Sequence, residues 1–149
     1  MAYSGTFIPI NKMKYKDDYT KIHYRSNWEK FYMNHLDKHP EVLWWNSEEC
    51  VIPYFSNADG KKRRYFMDFH VKFKNGQEFL VEVKPHKETQ EPQKPAKLTA
   101  TAKKRFMNEV YTFQVNQDKW KAASALADKR GINFRILTEN GLRKLGYNC

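Results

Sequence analysis

The chain has 149 residues and a formal net charge of +10, with 27 Lys and Arg against 17 Asp and Glu. That length suits one domain with its own core, and the positive balance points to a polyanionic partner, nucleic acid foremost. No apolar run is long enough to span a membrane and the N-terminus carries no signal-peptide core. Cys50 and Cys149 give neither a metal-ligand spacing nor a disulfide framework, so a soluble intracellular protein is expected.

Residues 1–21 are rich in Lys, Tyr and Asp without a period and read as an extended arm. The first helix is expected over His23–Lys38. Ser26 followed by Glu29 forms a capping box, Trp28, Phe31, Tyr32 and Leu36 recur at helical spacing, and His39-Pro40 ends the helix. Glu29 either reaches back to the Ser26 amide or points along the helix start toward a site, and the two readings are compatible. Arg25 is placed to hold a phosphate or is a plain surface cation. Val42–Trp45 and Cys50–Phe55 read as strands, the second at an edge because of Pro53. Trp44 and Trp45 face opposite sides, so at least one is core. Ser56–Gly60 is a turn, and Lys61, Lys62, Arg63 and Arg64 follow as a basic run able to track a phosphate backbone.

Tyr65–Pro85 reads as a hairpin, with strands Tyr65–Phe73 and Glu78–Lys84 about a turn at Asn75-Gly76. Phe69, Val71 and Phe73 alternate with polar residues, as do Phe79, Val81 and Val83. A two-residue loop would set Glu82 beside Phe69 and mix the faces. A three-residue loop, or a bulge with Gly76 at positive φ, pairs apolar with apolar and brings Asp68, Glu82 and Lys84 onto one polar surface. Two carboxylates and a lysine there suit a divalent cation and a phosphodiester. Residues 85–98 hold three prolines and read as a loop or flap beside that surface. A helix over Thr99–Thr112 carries Lys103, Lys104 and Arg105. A second, capped by Asn116, runs over Gln117–Arg130 to Gly131 and carries Lys119 and Lys121. Ile132–Leu137 is a last strand and Thr138–Leu145 a short terminal helix. The order predicts a single α/β domain over 1–149, a mixed central β-sheet flanked by helices, the restriction-endonuclease-like arrangement.

Asp68, followed thirteen residues on by Glu82-Val83-Lys84, resembles the PD-(D/E)xK nuclease motif, with Met67 where that motif has its proline. Longer segments carry the resemblance further: YRSNWEKF from Tyr24, NSEECVIPY from Asn46, DGKKRRYFMDF from Asp59, FLVEVKP from Phe79 and VNQDKWKAA from Val115. Together they look like the head completion nucleases of T-even-type tailed phages, a family related to the TnsA-like endonucleases of transposons. The resemblance implies a metal-dependent endodeoxyribonuclease acting after DNA packaging, in the host cytoplasm or the virion. Its expected partners are DNA and the phage capsid, portal or neck proteins, with no membrane. It maps Glu29, Asp68, Glu82 and Lys84 onto the catalytic positions, and implies Mg²⁺, with Mn²⁺ able to substitute, held by Asp68, Glu82, Glu29 and the Val83 carbonyl. Lys84 would orient or deprotonate the attacking water. Arg25, Lys61–Arg64, Lys103–Arg105, Lys119 and Lys121 are the expected DNA contacts. Two rival readings stand beside it: a non-catalytic DNA-binding head or neck protein, and a transposon-end endonuclease subunit that borrows recognition from another protein.

Overall fold

A computed structural model describes residues 3–148. Its centre is a four-stranded sheet in the order β3 (Val42–Ser47), β6 (Phe69–Phe73), β7 (Glu78–Val83), β8 (Asn133–Leu137). The first three strands are antiparallel and β8 is parallel to β7. A parallel neighbour requires a crossover, and the long helix α2 (Ala100–Arg130) supplies it. Helix α1 (Asn27–Lys38) lies on the opposite face, and α3 (Glu139–Lys144) closes the chain. Two smaller pairs complete the fold: β1 (Gly5–Thr6) with β2 (His23–Tyr24), and β4 (Val51–Ser56) with β5 (Lys61–Phe66). This is the expected mixed sheet flanked by helices.

The β6–β7 turn settles the register. Phe73 N–H donates to the Gln77 carbonyl (2.8 Å), Gly76 N–H returns to the Phe73 carbonyl (3.0 Å), and Gly76 sits at φ +94°. Only a residue without Cβ adopts that conformation freely. The three-residue connection pairs Phe69 with Val81 and Val71 with Phe79, so apolar meets apolar. One step beyond the ladder, Asp68 stands opposite Glu82.

The other side of these strands is not an open polar face, as the alternation suggested. Leu80 is fully buried there, in a second core with Met67, Tyr65, Ile52, Trp120, Ala123 and Ala127. Helix α2 and the β4–β5 hairpin cover it. The first core, under α1, gathers Trp45, Phe69, Val71, Val81, Tyr32, Met33 and Leu36. Burying each large apolar side chain contributes about 1.5–3 kcal/mol, so two cores carry the domain.

Four further expectations change. The strand expected over Tyr65–Phe73 is two strands in two sheets, because the chain leaves the β4–β5 hairpin at Met67-Asp68. Four consecutive cations, Lys61–Arg64, cannot enter a sheet covered on both faces, whereas the hairpin leaves them in water. The two helices expected around Asn116 are one 31-residue helix. No Pro or Gly interrupts it, and the propensity cost of Asn, below about 1 kcal/mol, does not break a helix whose Asn116, Trp120, Ala123 and Ala127 pack on the sheet. Gly131, at φ +68°, ends it as expected. The first helix begins at Asn27 after the Ser26 cap, with His23 and Tyr24 in β2 instead. The N-terminal arm, read as extended and partly ordered, is anchored along its length: Phe7, Tyr15 and Ile22 are buried, and the buried Asp37 carboxylate accepts from Ile10 N–H (2.9 Å) and Asn11 N–H (3.1 Å). Met1 and Ala2, the start of that arm, and Cys149 lie outside the described residues. The 85–98 segment is a loop apart from one 3-10 turn at His86–Thr89.

Candidate active site

Asp68 occupies the break between β5 and β6, where the chain passes from the hairpin to the central sheet. Its Oδ2 accepts from Val83 N–H (2.8 Å), which fixes the carboxylate against the end of β7. Glu82 is 7% exposed, and its Oε2 accepts from the Tyr65 hydroxyl. Lys84 extends from the same edge, with its amine 3.9 Å from Glu82 Oε1. Glu48 N–H reaches the carbonyls of both Met67 (3.1 Å) and Asp68 (3.2 Å), and clasps the strand break from the β3–β4 side.

Glu29 approaches from the first turn of α1. Ser26 Oγ accepts from Glu29 N–H (3.1 Å), the expected cap. The return contact differs from the capping-box expectation: Glu29 Oε1 accepts from Arg25 N–H (3.2 Å), one residue before the cap. The side chain therefore lies along the helix start and still faces the sheet end.

The electrostatics join these groups. Burial raises the Asp68 carboxyl well above its usual range, and the charges of Glu82 and Glu29 push it further; the Val83 N–H opposes them. Burial also raises Glu82, against the Tyr65 hydrogen bond and the positive charges of Lys84 and Lys119. Burial raises Glu29 too, with Glu48 adding to the effect. Without a cation, both carboxyls keep their protons to higher pH than ordinary carboxylates do. A cation placed among them would release those protons and relieve the repulsion.

The donor set fits a hard divalent cation in chemistry. One oxygen of each carboxylate is engaged, while Asp68 Oδ1 and Glu29 Oε2 have no hydrogen-bond partner among the described residues. Oxygen donors of this kind suit Mg²⁺. The carboxylates are not drawn together as a closed ligand cluster: no group of three or more His, Cys, Asp or Glu side chains is gathered around one point among the described residues.

The basic residues divide. Lys62, Arg63, Arg64 and Lys119 line one cleft between β5 and α2. Arg63 is tied to Asp59, and Arg25 is tied to Glu48. Lys103, Lys104 and Arg105 are exposed on α2, about two turns before the cleft's Tyr111, and Lys121 is exposed nearly two turns past Val115. Neither they nor Lys61 line the cleft. Sequence reasoning missed Tyr65, which holds Glu82. It also missed Asp118, whose carboxylate accepts from Asn57 N–H (2.8 Å) and ties the β4–β5 turn to α2. The available signal was the run Ile52, Tyr54, Tyr65, Met67 and Leu80, an apolar stripe too long for a solvated hairpin.

The domain family described as TnsA-like endonuclease N terminal matches residues 39–139, a span that holds Asp68, Glu82 and Lys84 and leaves Glu29 outside. The chain is 66% identical over 147 residues to the head completion nuclease of Enterobacteria phage T4, across 99% of this chain and 98% of that protein. With a mixed sheet, a crossover helix and a motif-bearing strand pair in place, this chain belongs to the TnsA-like endonuclease family, on the branch of the phage head completion nucleases.

Proposed function

We propose that this protein is a Mg²⁺-dependent DNA endonuclease of the PD-(D/E)xK type, acting in phage head completion after DNA packaging. The observation that carries the reading is the buried Asp68–Glu82 pair with Lys84 beside it, held by Val83 N–H and Tyr65. Isolated, that arrangement is electrostatically costly, which is the mark of a site built around a cation and a phosphate. Asp68, Glu82 and Glu29, with the Val83 carbonyl, would hold Mg²⁺, and Mn²⁺ in its place. Bound there, the ion supplies Lewis-acid polarisation of the phosphoryl group and a more acidic water.

The chain's own residues do the rest. Val83 N–H keeps Asp68 turned toward the sheet end. Tyr65 holds one Glu82 oxygen and leaves the other facing Lys84. The Lys84 amine, next to that oxygen, places positive charge where a phosphate gains negative charge and orients the attacking water. Lys62, Arg64 and Lys119 attract the DNA backbone without regard to sequence. The work of such an enzyme lies in the infected cell or the virion, with capsid, portal or neck proteins as partners. No described helix is long and apolar enough to cross a membrane.

The test is incubation of the purified chain with linear, nicked and branched DNA in Mg²⁺ and in EDTA. Cleavage in Mg²⁺ alone is the expected result. Absence of cleavage on every form, with no Mg²⁺-induced rise in melting temperature, overturns the reading in favour of a non-catalytic DNA-binding protein.

A further inference from the structure

We infer that the cleft between β5 and α2 binds an unpaired DNA strand leading to the cleaved phosphate, so that the preferred substrate carries a single-stranded segment beside the cut. The inference rests on the nuclease reading and names its substrate class. The cleft has a volume of about 590 Å³, and beside Arg63 and Tyr54 its lining includes Lys62, Arg64 and Phe66 from β5 and Tyr111, Val115 and Lys119 from α2.

Three observations converge on a nucleic-acid strand. The first is charge. No carboxylate lines the cleft, and Lys62, Arg64 and Lys119 form no ion pair among the described residues, whereas Arg63 is held by Asp59. The second is the aromatic surface. Phe66 and Tyr111 remain 45% and 46% exposed, and the Arg64 guanidinium lies 5.7 Å from the Phe66 ring centroid. Large rings interleaved with free cations give a platform on which bases stack while phosphates are neutralised. The third is position. The Lys119 amine lies 5.4 Å from the Tyr65 ring centroid, and the Tyr65 hydroxyl donates to Glu82. One end of the cleft therefore abuts the carboxylates, and a strand leaving them runs along it.

The rings decide between single and double strands. In a continuous duplex each base face is covered by its neighbours, so a duplex would use the cations and leave Phe66 and Tyr111 without a partner. An unpaired strand uses both. The fold positions the platform at the β5 edge: Lys62, Arg64 and Phe66 share the face turned from α2, Arg63 and Tyr54 share the face toward it, and the cleft runs around that edge to Tyr111, Val115 and Lys119 of α2.

The test uses the full chain in EDTA and fluorescence anisotropy with three probes of equal phosphate count: oligothymidylate, an abasic deoxyribose-phosphate strand and a blunt duplex. Oligothymidylate should bind about 10-fold tighter than the abasic strand, since one stacked base is worth about that factor. Phe66→Ala and Tyr111→Ala should each remove most of that preference and leave the abasic strand and duplex within about 2-fold. Phe66→Leu, which keeps apolar bulk and loses the π face, should behave like Phe66→Ala. In Mg²⁺ a duplex with a single-stranded tail should be cut faster than a blunt one. Equal affinity for oligothymidylate and the abasic strand, or an equal loss on all three probes, overturns the inference even if duplex is cleaved. A base-dependent preference without cleavage of any DNA supports the strand site and overturns the nuclease reading instead.

Discussion

The sheet face under α1 is closed by aliphatic and aromatic side chains with no carboxylate among them, whereas the face under α2 runs from an apolar core into carboxylates. On the first face Trp45, Phe69, Val71 and Leu36 are at most 1% exposed and nothing titrates among them. On the second, Leu80 is as deeply buried, yet the next same-face position on β7 is Glu82, with Asp68 opposite it. Period-two alternation places these sets on opposite sides of the same strands. One face is packed for stability. The other gives up part of that packing to bury ionisable groups, which under the proposed function would act on a phosphate more strongly there than in water. The substitutions below treat the faces separately.

The largest effect is expected from Glu82→Gln. The amide keeps the size and accepts from Tyr65 but removes one charge from the site. Cleavage in Mg²⁺ should fall at least about 10³-fold, about 4 kcal/mol in the barrier, while the protein still folds. Cleavage rates of variant and parent check this, and equal rates would remove Glu82 from the chemistry. Leu36→Ala does the converse. It opens a cavity under α1 and should cost about 3 kcal/mol in urea denaturation. Cleavage by the fraction that remains folded should stay within about 2-fold of the parent. A variant of the first face that abolished cleavage while folded would break the division of labour between the faces.

The pH dependence of the metal-free protein sharpens it. Asp68 and Glu82 have raised folded-state values, so between the ordinary carboxylate range near pH 4 and those raised values the folded chain binds more protons than the unfolded one. The stability gained from holding those protons is present at low pH and is lost as the pH rises through the folded-state values. In EDTA, melting temperature should therefore decline across that window, and Mg²⁺ should offset the decline. Asp68→Asn keeps an acceptor for Val83 N–H and removes the repulsion. It should raise the metal-free melting temperature by about 3 °C, about 1 kcal/mol, and flatten the decline. A melt that is flat with pH in the parent would mean that the pair carries no strain.

Much of the first face could be read from the chain alone. Phe69, Val71 and Val81 follow a clean period, and Gly76 after Asn75 left only one register that matched apolar to apolar. The juxtaposition of Asp68 and Glu82 followed from that same register. What stayed hidden depended on contacts far apart in sequence. Leu80, between Phe79 and Val81, looked like one more residue of an apolar run, when in fact it anchors the second core under α2. The continuity of α2 turned on the burial of Asn116 against the sheet, which local propensity does not encode. Tyr65 was legible as a strand residue but not as the partner of Glu82, because β5 belongs to a different sheet from β7. The order of the N-terminal arm depended on Asp37, an acid that reads in sequence as one more surface residue of α1.

The smallest effect is expected where the faces meet, at the start of α1, and it separates two roles that share one turn. Ser26 caps the helix through Glu29 N–H, and the Glu29 carboxylate accepts from Arg25 N–H while its charge raises Asp68. Ser26→Ala removes the cap and leaves the carboxylate. Stability should fall by about 1 kcal/mol, and cleavage should drop only as far as a frayed first turn misplaces Glu29. Glu29→Gln keeps an acceptor for Arg25 N–H and removes the charge. Its stability should stay within about 0.5 kcal/mol of the parent, since a raised carboxyl gives up little on neutralisation. Its cleavage should fall further than that of Ser26→Ala, and the Mg²⁺-induced rise in melting temperature should shrink. The measurements are urea denaturation, single-turnover cleavage and melts with and without Mg²⁺ for both variants. If Glu29→Gln lost stability like Ser26→Ala but cleaved like the parent, Glu29 would be a capping residue alone, and the site would consist of Asp68, Glu82 and Lys84 on the strands.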